Sequence, residues 1–212
     1  MLNYATQYAA APGSTFKMVS ATAALMEGEV SLSSKVNCTG AYTQVTPSPR
    51  CWRRSGHGSL NLTEAIQNSC NFFFYDIGYR FATKSGNYNA QDGLDVLAKY
   101  AEMYGLTEKS GVEIEESQPS VSDELPIPSA IGQGTNSFTA VGLTRYVATV
   151  ANGGNCYNLT LLDHVQDKEG TVLTRQKSTL QGTVDIPVEY WNAIRLGRRR
   201  GVEGKRYFNE LS

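Results

Sequence analysis

No stretch of this 212-residue sequence holds about twenty consecutive apolar residues, and no basic segment leads into a shorter apolar one. Nothing within these residues therefore reads as a membrane-spanning helix or a cleavable signal. Net charge is nearly absent too: 19 Lys and Arg stand against 20 Asp and Glu, a formal balance of −1. That balance leaves no global charge to draw in nucleic acid or an anionic membrane surface, and nucleic acid is not expected as a partner. Internal repeats and low-complexity tracts are missing, which excludes a solenoid. Histidine is scarce, with two residues, of which only His57 falls in the first half. What is present, 41% hydrophobic and 10% aromatic residues, suffices for a substantial core, and residues 1–212 are read as one domain.

The stretch Ala11-Pro12-Gly13-Ser14-Thr15-Phe16-Lys17 carries the strongest chemical signal. Pro12-Gly13 breaks preceding structure, and the run from Met18 to Met26 is rich in helix formers and stops at Gly28, so Ser14 is placed at a helix start. Lys17 then lies about one turn further on the same face, close enough to share a proton with the Ser14 hydroxyl. Unpaired amides and the positive end of the helix favour a developing alkoxide and disfavour a second positive charge on Lys17. A neutral lysine beside a serine makes an activated nucleophile, although Ser-x-x-Lys alone is equally a capping serine followed by a solvated lysine.

Along the chain, Leu2 to Ala11 reads as an approach loop, and Gly28 to Pro49 as polar surface chain. Cys51 to Ser59 is a loop in which Gly56 and Gly58 flank His57. Asn61, with Glu64 three residues on, begins a helix as a capping box. Ser69-Cys70-Asn71 interrupts that helix, and Phe72 to Phe81 resumes it. Ala90 to Tyr104 has helical periodicity, whereas Ser110 to Pro128 is irregular. Ile131-Gly132-Gln133-Gly134 is a tight turn opening a helix from Thr139 to Ala151, closed by Asn152-Gly153-Gly154. Tyr157 to Val165 and Thr171 to Thr174 form a predicted β-hairpin, and a last helix runs from Val188 to about Arg200. Arg198-Arg199-Arg200 is read as its solvated end.

Four cysteines leave three readings open. Cys38, Cys51, His57 and Cys70 fall in one short region and offer three thiolates and an imidazole, a complete tetrahedral set for structural zinc. A Cys38–Cys51 disulfide and free buried thiols are the alternatives.

Taken together, Pro12-Gly13-Ser14-Thr15-Phe16-Lys17, Ser69-Cys70-Asn71 in its setting after Gly56-His57-Gly58, and the Gly132-Gln133-Gly134 helix ending in Ala151-Asn152-Gly153-Gly154 resemble the penicillin-binding proteins of class B, serine D,D-transpeptidases. The resemblance implies an α/β (α+β) fold of the serine β-lactamase and D,D-peptidase kind, present here mainly as the helical lobe plus a hairpin. It assigns Ser14 as nucleophile, Lys17 as its base, Ser69 as a proton relay and Asn71 as the group that orients Lys17 and binds the substrate amide. Some elongation-type members carry a metal beside Ser-x-Asn, where Cys70 stands; no cofactor is implied for the chemistry. Implied partners are peptidoglycan stem peptides, β-lactams and membrane proteins of cell-wall synthesis. The implied location is the outer face of the bacterial membrane, anchored by an N-terminal segment beyond these residues.

One departure bears on activity. The family's Lys-Thr-Gly motif does not occur in the sequence, and Gly204-Lys205-Arg206 lacks its hydroxyl and second glycine. The chain is thus expected to be cut before that strand and to lack strands preceding the nucleophile, leaving an apolar face exposed. Weak or no penicillin labelling is expected of these residues alone, and stoichiometric labelling once the strand is restored. The rival is a non-enzymatic β-lactam sensor or an inert product; a β-lactamase is less favoured because no Glu-x-x-Leu-Asn-like segment supplies a deacylating base.

Overall fold

In the computed structural model, residues 2–209 are described, with side chains through Glu203. The centre is α1 (Lys17–Met26), whose residues Lys17 to Leu25 are all buried, the polar Lys17, Ser20 and Thr22 among them with hydrogen-bond partners. It follows β1 (Ala9–Ala10) and a 3₁₀ turn over Gly13–Phe16, so Ser14 sits in a tighter turn just ahead of the α-helix. Strands β2 (Val36–Cys38) and β3 (Gly58–Leu60) pair antiparallel and bring Cys38 opposite Gly58. Then come α2 (Leu62–Gln67), α3 (Asn71–Thr83), α4 (Ala90–Met103) and α5 (Pro126–Ser129). Asn61 caps α2 with both arms of the capping box, as its spacing with Glu64 predicts.

The second half holds β4 (Phe138–Thr139), α6 (Ala140–Ala151), β5 (Asn155–Tyr157), β6 (His164–Gln166), β7 (Val172–Arg175), β8 (Leu180–Thr183) and α7 (Val188–Asn209). Helix α1 packs against α3, α4 and α7, and α7 lies along α2. Gly197 allows that approach, since a Cβ there would stand 2.8 Å from the Thr63 carbonyl and from Ile66 Cβ. Among the described residues every sheet has two strands: β1–β4, β2–β3, β5–β8 and β6–β7.

Several expectations need correction. The hairpin from Tyr157 splits: β6 pairs with β7, but Tyr157 belongs to β5 and pairs with Leu180 in β8, a strand that the polar sequence Leu180-Gln181-Gly182-Thr183 does not announce. The segment Ser110 to Pro128 is mostly irregular, yet its end forms α5 with Pro126 in the first turn. Helix α7 runs past Arg200 to Asn209, so Gly204-Lys205-Arg206 lies within its backbone. The β6–β7 ribbon and its approach expose Leu161, Leu162, Val165, Val172 and Leu173.

Gly132 shows how the Gly-Gln-Gly turn supports the nucleophile. Its φ is +75°, its carbonyl accepts from the Gly13 N–H at 3.0 Å, and an added Cβ would stand 2.1 Å from the Gly13 carbonyl oxygen and 2.8 Å from Phe16 Cβ. Gly132→Ala is therefore expected to cost roughly 3 kcal/mol of stability by displacing the turn that carries Ser14, with a comparison of denaturant midpoints as the check.

Candidate active site

Ser14 is exposed at the end of its turn, and Lys17, at the first position of α1, is only 2% exposed. The lysine Nζ lies 3.1 Å from Ser14 Oγ, 3.0 Å from Ser69 Oγ, 2.9 Å from the Ser69 carbonyl oxygen and 2.6 Å from Asn71 Oδ1. The Phe74 ring lies 5.6 Å away. Ser69 Oγ donates to Ser14 Oγ at 2.9 Å. All four residues named from sequence are thus within one hydrogen-bonded group.

The proton count follows from donor and acceptor chemistry. Asn71 Oδ1 and the Ser69 carbonyl can only accept, so they take the two N–H bonds of a neutral amine. Its lone pair is then left facing a hydroxyl, and Ser14 is the one that points to solvent. Burial pushes Lys17 down to about 8, partly opposed by the Cys70 and Cys51 thiols, which would pull it up as thiolates. A substantial neutral fraction therefore exists near physiological pH, which a lysine at its ordinary value would lack.

Ser69 occupies a bend between α2 and α3 with φ +47°, a left-handed backbone uncommon for a side-chain-bearing residue. That bend aims the hydroxyl and the carbonyl of one residue at Lys17. A cavity of about 740 Å³ opens over Ser14 and Ser69, with Trp52 and Ile66 on one wall and Arg198 and Val202 on the other. A separate cavity of about 590 Å³ is lined by Tyr75, Tyr79 and Tyr88 and by none of Ser14, Lys17, Ser69 and Asn71. Lys84-Ser85-Gly86 does not supply the missing strand motif: Lys84 pairs with Glu27 at 2.8 Å, at the end of α1 remote from Ser14, about 15 Å along the axis.

Cys38, Cys51, His57 and Cys70 also converge, with one ligand atom from each inside a 4.8 Å span. His57 Nδ1 faces Cys38 Sγ at 3.6 Å and Cys51 Sγ at 3.5 Å, and Cys51 Sγ lies 3.9 Å from Cys70 Sγ. No disulfide joins them, and all four cysteines are buried, including the distant Cys156. Gly56 permits the crossing of the loop, since a Cβ there would meet the Cys38 carbonyl at 2.2 Å. Burial followed by the charges of Arg53 and Lys17 lowers the His57 pKa, keeping the imidazole neutral. Burial would raise the Cys51 thiol, but backbone N–H groups of Phe72, Arg53 and Asn71 bring it below its ordinary value. Cys70 is raised, chiefly by burial. Soft donors, tetrahedral number and a neutral imidazole fit zinc.

Sequence reasoning passed over Trp52, whose indole N–H reaches the Asn68 and Ser69 carbonyls. An aromatic residue in a Gly- and Arg-rich loop carries no pattern that would announce this contact.

An exposed serine activated by a lysine at the start of a buried helix, with a second hydroxyl and an amide on the same amine, defines a serine-type acyl-transfer site. The family model described as penicillin binding protein transpeptidase domain matches residues 1–205, and the chain belongs to that family. It is 30% identical over 153 residues to stage V sporulation protein D of Bacillus subtilis, covering 69% of this chain and 22% of that protein. It is 24% identical over 214 residues to peptidoglycan D,D-transpeptidase MrdA of Salmonella typhimurium, covering 92% and 32%. These matches span at most about a third of the curated relatives' length. Among solved structures, a chain of a peptidoglycan synthase complex that coordinates polymerization and crosslinking superposes with a TM-score of 0.76 at 29% identity, over 95% of this chain and 34% of that one. Penicillin-binding protein A of M. tuberculosis, as its imipenem acyl-enzyme, superposes at 0.78 with 20% identity, over 94% and 46%. The fold is that of the penicillin-binding transpeptidase domains.

Proposed function

We propose that this chain carries the acyl-transfer site of a peptidoglycan D,D-transpeptidase, and the observation that carries the reading is the Lys17 amine held among Ser14, Ser69 and Asn71. Lys17 takes the Ser14 proton as Oγ attacks the penultimate D-Ala carbonyl of a stem peptide. Ser69 Oγ, bonded to Ser14 Oγ, passes a proton to the departing D-Ala amine. An amine from a neighbouring stem then resolves the acyl-serine. A β-lactam forms the same ester to Ser14 as its ring C–N bond opens, but the leaving amine stays tethered to the acyl group and does not vacate the site for the acceptor, so the acyl-serine stalls there. The Ser14 backbone N–H is one oxyanion donor; the second belongs to the Lys-Thr-Gly strand, a motif absent from this sequence.

Acylation needs the neutral form of Lys17, so its rate rises with pH through about 8 and levels above it. Stopped time courses with a fluorescent penicillin between pH 6 and 9.5 measure this, and a flat profile would contradict the assignment of Lys17 as base.

Cys38, Cys51, His57 and Cys70 are proposed to hold a structural zinc ion. Such an ion would supply no chemistry to the acyl transfer; its ligand Cys70 lies between Ser69 and Asn71 and fixes where both begin. The proposed location is the outer face of the bacterial membrane, with membrane proteins of cell-wall synthesis as partners. The complex of a 21% identical neighbour, PBP2 of Helicobacter pylori, with MreC supports that class of partner. A labelled penicillin tests the activity: label lost in Ser14→Ala supports it, and label that turns over rapidly favours a hydrolase instead.

A further inference from the structure

Trp52 is 60% exposed, yet its ring is held in place. The indole Nε1–H donates to the Asn68 carbonyl at 3.1 Å and to the Ser69 carbonyl at 3.2 Å. Its ring also meets that of His57 edge to face, with centroids 5.0 Å apart at 69°. An aromatic side chain that leaves most of its surface in water gains little from burial here, so the polar contacts distinguish this position. Both carbonyls belong to the bend before α3, where Ser69 takes its left-handed backbone.

Such a conformation persists only when its surroundings over-determine it. Around Ser69 the determinants are hydrogen bonds from three directions. The Ser69 N–H donates to the Ile66 carbonyl at 3.1 Å, and the Cys70 N–H to the Ala65 carbonyl at 2.9 Å, which together fix the turn from its helical side. The Ser69 carbonyl is held by Lys17 Nζ at 2.9 Å from inside and by Trp52 Nε1 from outside. Trp52 itself follows Cys51 directly and rests on His57, so the same side chain touches the catalytic bend and the cysteine–histidine cluster.

We propose that Trp52 is a positioning residue: its indole N–H holds the Ser69 peptide so that Ser69 Oγ points at Ser14 and the Ser69 carbonyl at Lys17, and it ties that geometry to the Cys51–His57 loop. The rate consequence rests on the acyl-transfer reading above; the hydrogen bonds do not. Removing the N–H leaves the Ser69 carbonyl held by Lys17 alone, so the serine relay samples orientations in which it no longer reaches Ser14.

Trp52→Phe keeps a ring against His57 and loses the donor. With a fluorescent penicillin, the acylation rate constant of Trp52→Phe is expected to fall about tenfold. Reversible binding before acylation should change by less than twofold, with melting temperature and bound zinc unchanged. An unchanged rate constant would overturn the proposal, as would parallel losses of binding, zinc and stability, which mark a merely structural ring. A second measurement needs no acylation. The sequence has two tryptophans, so a ¹⁵N spectrum shows two indole N–H signals, assigned with Trp191→Phe. The Trp52 signal is expected to exchange with solvent at least about tenfold more slowly than a free indole, despite its exposed ring, because both carbonyls hold the proton. Exchange at the free rate would overturn the proposal. A chain joined to a Lys-Thr-Gly strand that still takes no label contradicts the acyl-transfer reading instead, and the exchange rate then decides the indole's role alone.

Discussion

Lys17→Met lowers the rate of penicillin acylation at Ser14 by about 10³-fold or more, the range general-base assistance provides. Methionine keeps the length and apolar stem of a side chain that is only 2% exposed, so the helix and its packing survive. What disappears is the lone pair that takes the Ser14 proton, together with the N–H bonds that hold Asn71 Oδ1 and the Ser69 carbonyl. Reversible penicillin binding should change far less than the rate, since Lys17 lies beneath the serine. Stability offers an internal control. The folded Lys17 titrates at about 8 and the unfolded one at 10.5, so between those values the unfolded chain holds more protons and stability rises with pH. That rise is absent from Lys17→Met, and the difference between the two stability–pH curves isolates it. A variant that acylates within tenfold of the parent would remove Lys17 from the mechanism.

Cys70→Ser, or chelation of the parent protein, lowers the melting temperature by on the order of 10 °C. Zinc bound to the folded chain at about a thousand times its dissociation constant stabilises by about 4 kcal/mol, and each kcal/mol corresponds to roughly 2–4 °C for a chain of this size. The ligand set makes the effect larger than a cavity alone would, because losing the ion leaves three buried thiols and the His57 Nδ1 that faces them without the group that joins them. Acylation should fall as well, since Cys70 joins Ser69 to Asn71. Metal analysis and thiol titration before and after chelation complete the measurement: one zinc per chain and thiols that become reactive on its removal are expected. A chain without metal and with an unchanged melting temperature would return the cluster to free buried thiols.

The site was legible because its chemistry is written in short, ordered segments. Ser14, in the 3₁₀ turn, and Lys17, first in α1, are three residues apart, and Ser69 and Cys70 separate α2 from α3, which Asn71 begins. The Asn61–Glu64 capping box and Gly28 marked helix ends through local hydrogen-bonding rules, and the structure places α2 as that box predicts. Contacts that join distant segments were not legible. Strand β8, Leu180-Gln181-Gly182-Thr183, has a single large apolar residue and no apolar stripe, and it pairs with β5 across the whole β6–β7 ribbon. The three positions Cys38, Cys51 and His57 could be listed as ligands from composition, but their meeting depends on the loop crossing at Gly56. Trp52 was invisible for a similar reason: its function resides in two backbone carbonyls of another segment, which sequence does not distinguish from any others.

The most direct test of the account is intact-protein mass spectrometry after incubation with benzylpenicillin, followed by peptide mapping. One penicilloyl adduct is expected on the peptide containing Ser14, weak or absent in this chain, stoichiometric when a Lys-Thr-Gly strand is restored, and absent from Ser14→Ala. An adduct mapping to another residue, an adduct retained in Ser14→Ala, or no adduct in either form would contradict it.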